Sequence, residues 1–123
     1  LEELASKVRD MRNCIFNLHV PPKDSGLDTA PMLDASTYPP KAVTEFGQIK
    51  FFGAGSTAVR TLIERHQPLL GLHGHIHESK ALVKIGRTLC INPGSDYTEG
   101  ILKGVLITFE KDGSIKDHQL TSG

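Results

Sequence analysis

Residues 69–79 constrain the fold most, because an apolar run leads directly into three alternating histidines. The segment reads Leu-Leu-Gly-Leu-His-Gly-His-Ile-His-Glu-Ser, with imidazoles at His73, His75 and His77. The apolar part predicts a short buried strand over 69–72, and the histidines then fall on its exit loop. Neutral imidazole is the commonest protein ligand of transition metals, so the segment predicts a metal site at a strand end.

Apolar periodicity elsewhere predicts two helices. Residues 1–12 have the spacing of an amphipathic helix, and residues 57–67 form a second one with Ser56 as its N-cap and Pro68 closing it. The first pattern begins without a capping side chain, from which we expect further sequence upstream.

Short strands and turns account for most of the remaining chain. The predicted strands are residues 14–19, 49–53, 69–72, 81–85, 88–92, 104–109 and 114–120, with hairpin turns at 86–87 and 111–113. Residues 23–48 show no clear periodicity, so we expect a long functional or mobile loop with a helical turn near 40–45. The order of elements predicts an α/β layered architecture.

Length and charge restrict the class of protein. The 123 residues suffice for one core, and 14 basic residues balance 14 acidic ones, so nothing indicates nucleic acid or an anionic membrane as a partner. The 38% apolar content fits a piece with a missing half, or a small protein with long loops. No signal peptide or membrane-spanning run is present, so a cytoplasmic location is expected. We expect Cys14 and Cys90 to be buried, reduced thiols.

Three motifs fall at the carboxyl ends of predicted strands, where open α/β sheets bind ligands. They are His19 with Val-Pro-Pro after it, Gly-His-Ile-His-Glu-Ser over 74–79, and Asn-Pro-Gly-Ser over 92–95. In this order they resemble the later motifs of the calcineurin-like metallophosphoesterases, and the resemblance extends over about residues 14–109.

The resemblance implies a fold and a set of metal ligands. The chain would be a single partial domain, residues 1–123, forming the C-terminal half of a four-layered α-β-β-α sandwich. The family holds two divalent metal ions (manganese, iron or zinc), with His19 and His75 on one and His77 on the other. Gly94 and Ser95 would either line the substrate pocket or simply form a turn.

The carboxylate half of that site is missing from the sequence. Neither Asp-x-His nor Gly-Asp-x-x-Asp occurs, so no catalytic residue is assigned. Two cations about 3.5–4 Å apart can lower the pKa of a bridging water and clamp a phosphoryl group. Carboxylates offset the charge of such a pair, whereas histidines alone would hardly hold more than one metal.

Other candidate residues have simpler interpretations. We expect His73 to be structural or to support a ligand, His66 and His118 to lie on the surface, and the acids of the long loop to be solvated. Those acids are Asp24, Asp28 and Asp34. A metallo-β-lactamase motif is excluded because it requires Asp then His where the chain has Glu78 and Ser79, and an amidohydrolase barrel needs a longer chain.

Two functions remain open from the sequence. The first is metal-dependent hydrolysis of a phosphate monoester or diester by an enzyme of which this chain is the C-terminal half. The second is a non-catalytic fragment or paralogue that binds a metal or a partner. In both cases a half sandwich leaves strand edges uncovered, so we expect the chain to aggregate, form a homo-oligomer or pair with a complementary N-terminal half.

Overall fold

In the computed structural model, residues 1–123 form a mixed α/β fold that is rich in strands. The α-helices are α1 (Glu2–Ala5) and α2 (Thr57–His66), and 3-10 turns lie at Met11–Asn13 and Tyr97–Glu99. The strands are β1 (Ile15–Asn17), β2 (Thr29–Pro31), β3 (Leu33–Asp34), β4 (Lys41–Ala42), β5 (Thr44–Glu45), β6 (Gln48–Ile49), β7 (Phe51–Gly53), β8 (Leu70–Leu72), β9 (Ala81–Ile85), β10 (Thr88–Asn92), β11 (Lys103–Phe109) and β12 (Ile115–Ser122). The predicted α/β class is confirmed at this level.

A four-stranded sheet in the order β1-β8-β10-β9 forms the centre of the molecule. β1, β8 and β10 are parallel, and β9 is antiparallel to β10. The register places Phe16 and Cys90 on either side of Gly71. The two predicted hairpins, β9–β10 and β11–β12, are both confirmed.

Helix α2 packs its apolar face into the core through Val59, Leu62 and Ile63. Each buried aliphatic side chain of this size contributes about 1.5–3 kcal/mol to folding. The helix begins as predicted, since the Ser56 hydroxyl accepts a hydrogen bond from the Val59 N–H at 3.2 Å. It ends where Gln67 takes a left-handed conformation before the proline.

The predicted N-terminal helix is much shorter than the sequence pattern indicates. Only Glu2–Ala5 is α-helical, and Leu1 and Leu4 are 57% and 66% exposed. Short helices depend on tertiary packing for their stability. Ala5 is buried and Met11 packs on the core from a separate 3-10 turn, so these residues reach the core without a continuous helix over residues 1–12.

The prediction of an irregular loop over residues 23–48 is correct for residues 23–28 and 35–40, but it is wrong for the rest, and no helical turn forms. Residues 29–53 form a branched β-structure, which we call the arm: β2 pairs with β7, β3 with β4, and β5 with β6. The three strand pairs meet in a ring of backbone hydrogen bonds, each 2.8 Å long, that joins Met32, Val43 and Lys50. Each strand has only two or three residues, too few for an alternating pattern to be detected.

The chain exposes more surface than a compact protein of its mass. The accessible area is 8056 Å² for 13.4 kDa, against about 6,500 Å² expected for a folded monomer. Part of the excess lies at β1, an edge strand whose Ile15 is 43% exposed, and on the β11–β12 hairpin. None of the helices is long or apolar enough to cross a lipid bilayer.

Candidate metal centre

The loops that contain the predicted site residues leave the same edge of the central sheet. Because β1, β8 and β10 run parallel, their carboxyl ends lie side by side. The loop after β1 contains His19, the loop after β8 contains His75 and His77, and the loop after β10 contains Gly94 and Ser95. The fold therefore brings all five residues to the end of the sheet where α/β proteins bind ligands.

His19 and His75 form a close pair of exposed imidazoles. Their ring centroids lie 5.3 Å apart, and the ring planes are inclined at 76°. The Gly74 N–H donates to the His19 carbonyl oxygen at 2.9 Å, which ties the two loops together. With metal–nitrogen distances of about 2.0–2.1 Å, a single ion could reach a nitrogen of each ring. The spacing of the pair fits two ligands of one metal.

Gly74 provides the space that the His19 ring occupies. A Cβ at Gly74 would lie only 3.3 Å from both Nδ1 and Cε1 of that ring. Contacts this short are rare for a real Cβ, so a larger residue would push the imidazole away. The glycine of the Gly-His-x-His motif thus has a steric role beside the imidazole of a different loop.

His75 has a left-handed backbone, with φ of 65°. This conformation costs a residue with a Cβ about 1–2 kcal/mol, and histidine is one of the few types enriched there. It forms part of a tight turn in which the Ile76 N–H donates to the Gly74 carbonyl oxygen at 2.7 Å. Backbone strain of this kind persists where the surrounding structure enforces it, and it is concentrated at functional sites.

His77 is separate from the imidazole pair and packs edge-to-face on Tyr97, with centroids 5.2 Å apart. Its carbonyl oxygen accepts a hydrogen bond from the Ser95 N–H at 3.1 Å. A Cβ at Gly94 would lie 3.0 Å from the same oxygen, and Gly94 has a φ of 75°. Gly94 and Ser95 thus form a turn that supports the backbone of the His77 loop.

Asn92 organises the histidine loop, a role that the sequence did not reveal. Its buried side-chain amide donates to the carbonyl oxygens of Ile76 at 2.9 Å, Leu27 at 3.0 Å and Gly74 at 3.3 Å. Its side-chain oxygen accepts from the Gly94 N–H at 2.9 Å. The only signal in the sequence was its position at the start of the Asn-Pro-Gly-Ser turn.

His73 is buried, in agreement with the expectation that it is structural. Its Nδ1 lies 2.8 Å from the Leu18 carbonyl oxygen, next to His19 in sequence. Its Nε2 has no hydrogen-bond partner and faces Gly71, where a Cβ would lie 2.8 Å from it. Burial lowers the pKa of His73, which keeps the ring neutral.

Asp28 is not the solvated acid that the sequence predicted. It is 1% exposed, and its carboxylate accepts backbone N–H hydrogen bonds from Asp24, Ser25 and Gly55 at 2.8–3.1 Å. Backbone donors offset the desolvation of the carboxylate and stabilise the turn that precedes the arm. The prediction was correct for Asp24 and Asp34, which are exposed.

The donor set of the chain fits one metal better than two. No three side chains of His, Cys, Asp or Glu lie together as a metal-binding group. Two neutral imidazoles can bind one borderline cation, but no carboxylate lies with them to offset the charge of a second. Comparisons with models of protein families, with curated proteins and with solved structures found no match to this chain.

Proposed function

We propose that this chain is the C-terminal half of a metallophosphoesterase, an enzyme that hydrolyses phosphate monoesters or diesters with two divalent metal ions. In this proposal His19 and His75 bind one metal, and His77 contributes to the other. The central sheet would be one of the two sheets of an α-β-β-α sandwich. Manganese, iron and zinc all suit a site of mixed imidazole and carboxylate ligands.

The observation that carries the proposal is the His19–His75 pair. The two residues are far apart in sequence, yet their rings are 5.3 Å apart at the carboxyl ends of neighbouring parallel strands. Surface histidines without a shared function have no physical reason to lie this close together. The steric fit of His19 against Gly74 and the left-handed backbone of His75 both favour a functional pair over a chance contact.

The remaining ligands would be carboxylates from another segment, because this chain places no carboxylate beside its imidazole pair. His19, His75 and His77 are all exposed, so a second segment has access to them. When bound, two divalent ions would supply the positive charge that activates water and stabilises a phosphoryl group. The contribution of this chain is to hold its imidazoles in place, through Gly74 for His19 and through Asn92 and the 94–95 turn for the histidine loop.

Activity of the complete enzyme tests the proposal. The protein that contains this chain together with its carboxylate-bearing segment should hydrolyse a generic aryl phosphodiester or monoester when manganese is added. His75→Ala should abolish turnover with little change in thermal stability, since the side chain is exposed. His118→Ala removes another exposed histidine outside the site and should leave turnover unchanged. Retention of most activity in His75→Ala would contradict the role of His75 as a ligand.

A second candidate is a non-catalytic module that binds a metal or a partner. The lack of any three-residue metal-binding group in the chain favours it. The two candidates differ in the coding sequence upstream of residue 1. Asp-x-His and Gly-Asp-x-x-Asp motifs there would support the enzyme, and their absence would support the module.

A further inference from the structure

His77 lies in a tight turn whose two ends are buried. The Ser79 N–H donates to the Ile76 carbonyl oxygen at 3.2 Å, so His77 and Glu78 are the two central residues of a β-turn. Ile76 is 8% exposed and Ser79 is 6% exposed, whereas His77 and Glu78 lie on the surface. The turn is therefore fixed at its ends and presents the His77 imidazole to solvent.

Different side chains hold the two ends of this turn. At the first end, the Ile76 carbonyl oxygen accepts a hydrogen bond from Asn92 Nδ2 at 2.9 Å. At the second end, the Ser79 hydroxyl donates to the Gly26 carbonyl oxygen at 2.8 Å and accepts from the Thr29 N–H at 3.0 Å. Ser79 thus uses its hydroxyl both as a donor and as an acceptor, and both partners belong to residues 26–29.

Residues 26–29 form a firm support for Ser79. Asp28 is 1% exposed, and its carboxylate accepts the Gly55 N–H just before α2 at 2.9 Å. The carbonyl oxygen of the buried Leu27 accepts from Asn92 at 3.0 Å. Thr29 begins β2 and therefore begins the arm. The Ser79 hydroxyl accordingly joins the turn of His77 to the buried segment from which the arm leaves.

We propose that Ser79 is a positioning residue for His77, because its hydroxyl fixes the turn that presents this imidazole and joins it to the base of the arm. The effect is specific to His77, since His19 and His75 precede the turn and have their own support from Gly74 and Asn92. That His77 then binds a metal ion rests on the proposed function. Groups that orient a metal ligand control the affinity of the site, which gives this support a role in binding.

Nuclear Overhauser contacts between aromatic rings in the metal-free chain test the proposal. Two pairs of rings are close enough to give such contacts: His77 with Tyr97, at 5.2 Å between centroids, and His19 with His75, at 5.3 Å. Ser79→Ala removes both hydrogen bonds of the hydroxyl, so the contact of His77 with Tyr97 should be lost while that of His19 with His75 is retained. Loss of both contacts, or of neither, would overturn the proposal.

Thr88→Val is the matched control, because it removes another buried hydroxyl that donates to a backbone carbonyl. Thr88 is 0% exposed, and its Oγ1 donates to the Pro68 carbonyl oxygen at 2.6 Å, at the opposite end of β10. Both ring contacts should remain in this variant. Loss of the contact between His77 and Tyr97 in Thr88→Val would assign the effect to general stability and overturn the proposal.

Hydrogen exchange of the unmodified chain is a second measurement that needs no variant. The Thr29 N–H is bonded to the Ser79 hydroxyl, and the Ser79 N–H is bonded to the Ile76 carbonyl oxygen. Because Ser79 joins the two segments, both amides should become exposed in the same opening event and show the same protection. Much weaker protection of the Thr29 N–H than of the Ser79 N–H would contradict the coupling.

Manganese binding by the complete enzyme separates this proposal from the proposed function. Ser79→Ala should weaken binding by about 10–100-fold, as expected when the support of a ligand is lost, and Thr88→Val should leave it unchanged. Weaker binding in His77→Ala together with unchanged binding in Ser79→Ala would overturn the role of Ser79. Unchanged binding in His77→Ala would instead contradict the proposed function at His77, and the ring contacts would still decide whether Ser79 positions that residue.

Discussion

The side-chain amide of Asn92 donates to the backbone carbonyl of Ile76 over 2.9 Å, so the last residue of β10 holds the middle of the histidine loop. The same nitrogen also bonds the Leu27 carbonyl, just before the arm. One buried side chain therefore connects the end of the central sheet to the histidine loop and to the segment that precedes the arm. Because Asn92 bonds the carbonyls of Gly74 and Ile76, it fixes the backbone on both sides of His75.

Asn92→Ala should lower the free energy of unfolding by about 2–4 kcal/mol, because it leaves the buried Leu27 carbonyl without a donor and the Gly94 N–H without an acceptor. Urea denaturation followed by circular dichroism measures the change. Asn17→Ala is the matched control: Asn17 lies on β1 and is exposed, so its loss should cost less than about 0.5 kcal/mol. Equal destabilisation of the two variants would mean that Asn92 does not organise the loops.

Gly74→Ala should weaken zinc binding by roughly 10–100-fold, as expected when the support of a ligand is disturbed. The added methyl group would lie 3.3 Å from the His19 ring, so the ring would have to shift by a few tenths of an ångström and the geometry of the pair would change. Gly104→Ala is a control of similar steric demand, since its Cβ would lie 3.2 Å from the Thr121 hydroxyl, on the β11–β12 hairpin. Isothermal titration should show unchanged affinity in the control; a similar loss in both would point to a general effect on folding.

His73 should make the fold less stable in mild acid. Burial lowers its pKa, whereas the unfolded residue titrates near its ordinary value of 6.5. Below that pH the unfolded chain binds more protons than the folded chain, so the free energy of unfolding falls until the pH reaches the folded pKa. Urea denaturation from about pH 7.5 to 5 with a chelator present measures the fall. His73→Asn keeps a donor near Leu18 and removes the titration, so an unchanged pH dependence in that variant would refute the explanation.

The two cysteines should differ in reactivity. Cys90 is fully buried, and burial raises its pKa to about 12, whereas Cys14 is half-buried with a smaller increase. The thiolate is the reactive form, so a thiol reagent at neutral pH should label Cys14 first and Cys90 only after unfolding. Mass spectrometry of the labelled peptides assigns each site. Labelling of Cys90 at the rate of Cys14 in the native chain would show that the core opens readily.

The sequence predicted the parts of the fold that local patterns encode. Helix α2, its Ser56 cap and the two hairpins are specified by capping residues, apolar spacing and turn residues that act over a few positions. The convergence of the loops after β1, β8 and β10 also followed, because parallel strands end at the same edge.

The rest depends on tertiary contacts that no local pattern shows. The N-terminal stripe of apolar residues is amphipathic, but its helix ends at Ala5, and Met11 packs on the core from a 3-10 turn. The arm consists of two- and three-residue strands whose pairing is set by the ring of hydrogen bonds at Met32, Val43 and Lys50. Asp28 and Asn92 gain their roles from backbone groups of other segments, which the residue type alone does not reveal.

A zinc titration of the chain, followed by NMR of the histidine ring nitrogens, tests whether His19 and His75 act together as two ligands of one metal. We expect their ring signals to change together, with a stoichiometry of one ion, while those of the exposed His118 stay unchanged. Changes at His118 without any at the pair, or independent titration of His19 and His75, would contradict this shared role.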